Sequence, residues 1–117
     1  MGIQTLSSEA RGFLYGLFNE ASNIFEAKAE DLGGAPEAQE ARTLSFAFMR
    51  AQGMARMGGD EQSMTVAITE LKAKVDGLTD PGLKEAADDL RAWQKLYFRH
   101  MKPQEKTDLG SYSNGIF

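Results

Sequence analysis

Three glycine-centred breaks constrain this chain more than any other feature. Gly33-Gly34 precede Ala35-Pro36, Gly58-Gly59 precede Asp60, and Gly77 precedes Thr79-Asp80-Pro81. Glycine ends a helix at low cost because it accepts the left-handed conformation, and proline is tolerated at a first helical position. Each break therefore reads as one helix stopping and another starting. Ser7, Asp60 and either Thr79 or Asp80 are the N-cap candidates, because short polar side chains accept from free N–H groups of a first turn.

Between the breaks the apolar spacing is helical. The first segment carries Ala10, Phe13, Leu14, Leu17, Ala21, Ile24 and Phe25, with Phe18 widening the stripe. The third carries Met64, Ile68, Leu71, Val75 and Leu78, an alternation of four and three. The fourth carries Leu83, Ala86, Leu90, Trp93, Tyr97 and His100 or Met101. No segment alternates with the period of two that marks a strand. Short connections make successive helices antiparallel neighbours. The expected fold is all-α, an up-down-up-down antiparallel four-helix bundle over residues 1–102. Its helices are expected at about 7–32, 36–57, 61–77 and 81–101. A non-helical C-terminal tail or docking arm is expected over 103–117, because Pro103 stops the fourth helix.

The second helix departs from a simple stripe. Ala41, Leu44, Phe48, Ala51 and Ala55 form one apolar line, and Phe46, Met49, Gly53 and Met57 form another, displaced around the axis. A helix apolar on two sides is central or covered. In a small bundle the cover is a second chain, the tail or a skewed packing. The tail spaces Leu109, Tyr112, Ile116 and Phe117 among polar residues, and it is expected to dock its Tyr and Ile-Phe on the bundle or on a neighbouring subunit. The candidate interaction residues are thus Phe46, Met49, Met57, Tyr112, Ile116 and Phe117.

Composition then removes function classes. Cysteine is absent, so disulfides, thiolate catalysis and cysteine-ligated metal sites are excluded. His100 is the single histidine, which argues against a multi-histidine metal site or a triad with a spare imidazole, and with Tyr at position 97 it does not form the Glu-x-x-His pairs of a di-iron bundle. His100 with Met54 or Met57 could ligate a haem between helices. Capping of the last helical carbonyls is the simpler reading, since a helix end favours a cation. The carboxylate groupings (Glu26 with Glu30, Glu37 with Glu40, Glu85 with Asp88 and Asp89) fall in first turns or on polar faces. Ser7, Ser8, Ser45 and Ser63 have no base at a telling spacing. Gly12-x-x-x-Gly16 reads as a tight helix crossing. No catalytic, metal or cofactor residue is expected.

The net charge is −4, from 13 Lys+Arg against 17 Asp+Glu. That balance argues against a nucleic-acid partner, because phosphate binding needs a cationic surface. Arg91, Lys95, Arg99 and Lys102 do form a basic ridge, but they follow Glu85, Asp88 and Asp89 on one helix, the order its dipole favours. Folded onto an antiparallel bundle, the charges give an acidic excess where helices one and three finish and a mildly basic opposite end, where Arg91 is counted. Met1-Gly2-Ile3-Gln4-Thr5 lacks the basic start and apolar core of a signal peptide, and Leu6 breaks a myristoylation motif. No apolar run approaches the ~18 residues needed to span a bilayer. The expected setting is the cytoplasm, for a cellular or a virus-encoded chain. The expected function is that of a non-enzymatic helical protein–protein interaction module. It would self-assemble into a homo-oligomer or dock on a larger protein. The alternative is a four-helix carrier of an apolar ligand or haem.

Overall fold

The computed structural model describes residues 8–57, 61–109, 112 and 115–117. The proposed caps Ser7 and Asp60, and the Gly58-Gly59 break, lie outside the described residues. Helix α1 spans Ser8–Leu32, α2 Pro36–Met57, α3 Glu61–Asp76, α4 Pro81–Arg99 and α5 Pro103–Leu109. The described residues contain no strand. The helices pack together as a bundle, with α1 against α2, α4 and α5, and α2 against α3.

The breaks form as their residues dictate. Gly33 takes φ of +58°, and its N–H donates to the Ala29 carbonyl at 3.1 Å, which closes α1. Of the two candidate caps before α4, Asp80 is the one used. Its Oδ2 accepts from the Leu83 N–H at 3.0 Å, and Pro81 fills the first turn. Helix α4 stops at Arg99, short of the expected 101, because His100 leaves the helical region with φ −88° and ψ 3°.

One expectation is corrected: the tail is not wholly non-helical. Pro103, beyond the end of α4, opens α5, since proline suits the first turn of a new helix. Helix α5 packs on α1, and Leu109 is buried at its end.

The middle of the bundle belongs to α1. Its buried residues, from Ala10 and Phe13 through Phe18 and Ser22 to Ala29, cover roughly half the helix circumference at 100° per residue. That breadth lets one helix meet three others. The α1–α2 contact is lined by small residues, among them Ala21, Ala29, Ala38, Ala41, Ala51 and Ala55, so the two backbones approach closely. Ser45 Oγ donates to the Ser22 carbonyl at 3.0 Å and lies 3.1 Å from Ser22 Oγ, all buried. Gln52 Nε2 donates to Asn19 Oδ1 at 3.1 Å. These pairings run α1 and α2 antiparallel. The Lys28–Glu85 ion pair and the Tyr97 hydroxyl on the Phe13 carbonyl do the same for α1 and α4.

The expected α3 stripe is buried at every position, and so is the first α2 line. The α4 stripe turns by one residue in its second half. Gln94 and Phe98 are buried where Trp93 and Tyr97 were expected. Trp93 and Tyr97 sit at the rim, partly buried, with rings 4.4 Å apart. An amphipathic ring favours that position, because the Tyr97 hydroxyl reaches its acceptor there. Phe13 stacks on Tyr97 at 4.2 Å and meets Phe98 edge-on at 4.8 Å.

Gly16 is explained by the same contact, whereas Gly12 is not part of a tight crossing. A Cβ at Gly16 would collide with the Tyr97 hydroxyl; at Gly12 it would meet nothing within 4 Å. Gly16→Ala is therefore expected to lower stability by about 1–3 kcal/mol through overpacking. Gly12→Ala should raise it by up to about 1 kcal/mol through helix propensity. Urea unfolding of the two variants checks this, and equal shifts would contradict it. The serine pair gives a second contrast. Ser45→Ala leaves buried groups of Ser22 without their partner, at about 1–3 kcal/mol. Ser22→Ala leaves the Ser45 bond to a backbone carbonyl intact, so the same unfolding measurement should show the smaller loss.

Candidate interaction surface

The six candidate residues separate into two groups. Ile116 and Phe117 are buried in the chain's own core. Tyr112 is partly buried, and its hydroxyl lies 2.7 Å from Thr65 Oγ1 on α3. Phe46, Met49 and Met57 are exposed on α2, at 66%, 48% and 85%. Of the two docking sites open to Ile116 and Phe117, the chain's own bundle or a neighbouring subunit, the structure places both residues on their own bundle.

That docking depends on Gln94, which sequence reasoning passed over. Gln94 Oε1 accepts from the Ile116 N–H at 2.9 Å and from the Phe117 N–H at 2.8 Å. Arg91 Nε donates to the Phe117 main-chain oxygen at 2.8 Å. Gly115 makes the approach through φ of +102°, and its amide donates to the Tyr112 carbonyl at 3.1 Å. A Cβ at Gly115 would come within 3.3 Å of Gln94 Nε2. With these polar groups satisfied, the Phe117 ring meets Phe48 edge-on at 5.3 Å. Phe48 also stacks on Phe25 at 5.8 Å and tilts against Phe18 at 6.4 Å. A signal existed in the sequence. Leu90, Gln94 and Phe98 fall four apart, so a glutamine interrupts an apolar line and needs a buried partner.

The tail covers Phe48 but not the second apolar line of α2. Phe46, Met49, Gly53 and Met57 face away from the buried Leu44, Phe48, Ala51 and Ala55, with Arg42 and Arg50 exposed among them. Gly53 adds open space, since a Cβ there would meet nothing within 4 Å. Two hollows flank this face where α1 lies beside it. One, of about 400 Å³, includes Glu26 and Glu30 of α1 with Arg42, Phe46 and Met49 of α2, two carboxylates against one guanidinium. The other, of about 390 Å³, includes Arg11 and Tyr15 of α1 with Arg56. The flank is therefore acidic at one end and basic at the other.

Other candidates disperse. His100 is exposed and lines a hollow with Glu9 and Gly12 of α1, while Met54 lines a different one with Leu71 and Lys74. Arg91 pairs with Asp76 and Asp88, each at 3.2 Å, so it belongs with the acidic end rather than the basic one. These exposed pairs contribute little to stability. Among the described residues no group of three or more His, Asp or Glu is placed to hold a metal ion. Among them, too, no helix is long and apolar enough to cross a membrane.

No protein-family model, no curated protein and no solved structure matches this chain.

The clasp yields a direct expectation. Gln94→Leu removes the acceptor of two buried N–H groups and should cost about 2–6 kcal/mol, from about 1–3 for each orphaned group. Amide exchange at Ile116 and Phe117 should accelerate before exchange in α1 does. Unchanged protection at those two amides would contradict the assignment.

Proposed function

We propose that this chain is a non-enzymatic helical protein–protein interaction module, working by self-assembly or by docking on a larger protein as an adaptor, assembly component or inhibitor. The observation that carries the reading is the exposed line Phe46, Met49 and Met57 on the outer face of α2. Three large apolar side chains on one helical face, rimmed by arginines, have the composition of a helix that beds into a partner. The described tail residues lie on their own bundle, and among the described residues that face is open to another chain. The absence of cysteine suits a reducing compartment such as the cytoplasm.

The test combines two measurements. Light scattering coupled to size exclusion gives the mass of the chain and of a Phe46→Ser/Met49→Ser/Met57→Ser variant. A photo-crosslinker at position 46, with exposed Lys84 as the control position, reports contacts in the source cells. The expected result is a mass above 12.8 kDa that the triple variant loses while its helical circular dichroism is retained, or one defined crosslinked protein at position 46 that Met49→Ser/Met57→Ser abolishes. A monomer whose crosslinks at 46 match those at 84 would overturn the reading.

A further inference from the structure

We propose that the occupant of the α2 face is a second copy of this chain, docked antiparallel about a two-fold axis that crosses α2 near Met49 and Arg50. The proposal rests on the interaction-module reading and adds the partner and its geometry.

Charge complementarity and shape both favour that occupant. The α1 flank of the face carries a net negative charge beside Phe46, where Glu26 and Glu30 outweigh Arg42, and a positive one beside Ala55, through Arg11 and Arg56. A two-fold axis in the interface and perpendicular to α2 reverses the helix direction and keeps both α1 flanks on one side. Each acidic end then lies over the other copy's basic end. An axis along the helix makes the copies parallel and carries the two α1 flanks to opposite sides, so neither set of charges finds its complement. The antiparallel arrangement is isologous: one patch serves both copies, and the assembly closes at two.

The apolar residues fit the same operation. With the axis between positions 49 and 50, position 46 of one copy lies opposite position 53 of the other, and 42 opposite 57. The exposed Phe46 ring thus projects toward the open space above Gly53. Met49 lies at the axis with Arg50, and the exposed Met57 lies along the aliphatic stem of Arg42. A large residue aimed at a small one across a two-fold is a self-complementary shape.

The lack of cysteine makes the test clean, because introduced thiols are the only ones present. Positions 42 and 57 are about 22 Å apart along a helix rising 1.5 Å per residue, so a short bis-maleimide distinguishes arrangements. The expected outcome is a mass of twice 12.8 kDa for the unmodified chain. Arg50→Cys should link to itself, Met57→Cys alone should not, and a mixture of Met57→Cys with Arg42→Cys should give linked pairs. Glu26→Lys/Glu30→Lys should shift the mass to the monomer, and adding Arg56→Glu should restore the dimer. Self-linking of Met57→Cys, or a dimer that survives the charge reversal, would overturn the proposal. A monomer that crosslinks from position 46 to one different protein would overturn it while sparing the interaction-module reading. A monomer with no specific crosslink would overturn both.

Discussion

The side-chain oxygen of Gln94 holds two consecutive backbone N–H groups, and the docking of the tail on the bundle depends on that contact. Without it, Ile116 and Phe117 would bring polar main chain into an apolar site at a cost that burial of one phenyl ring could hardly offset. With it, the ring reaches Phe48, whose other neighbours are Phe18 and Phe25. Helices α1 and α2 thereby share an aromatic centre with a segment far along the chain. Arg91 completes the arrangement by giving the Phe117 main-chain oxygen a donor, so both the N–H and that oxygen of Phe117 are hydrogen-bonded.

The helices were legible because their signals are local. Gly33, Asp80 and Pro81 act within one turn of where they stand, and the four-and-three spacing of α3 needs no knowledge of the partner. What was not legible depends on residues distant in sequence. Trp93 and Tyr97 fit the α4 stripe as well as Gln94 and Phe98 do, if only the pattern is consulted. The choice is made by the Phe13 carbonyl and by the tail amides, which no window around α4 contains. Gly16 looked like half of a helix-crossing motif, and its actual occupant is a tyrosine hydroxyl from α4. Of the six candidate interaction residues, the α2 trio was readable as surplus apolar surface. Ile116 and Phe117 were readable as docking residues, but the sequence left open whether they dock on their own bundle or on a neighbouring subunit.

The net charge of −4 conceals an ordered distribution. Glu26 and Glu30 stand at one end of the α2 face, and Arg11 and Arg56 at the other. Arg91, counted by sequence with the basic end, sits instead between Asp76 and Asp88 and locally offsets the acidic one. Polarity along a face matters more to recognition than total charge, since it fixes the direction in which a partner can lie.

The Phe48–Phe117 contact also sets a clock on the chain's synthesis. Phe117 is translated about 70 residues after Phe48, which at roughly 5–20 residues per second is an interval of several seconds. During that time α1 and α2 can pair through their alanines and Ser22–Ser45, but Phe48 lacks the ring that later covers it. The nascent bundle therefore passes through a stage with an open aromatic centre. Closing that centre requires the seating of a side chain rather than the formation of a helix.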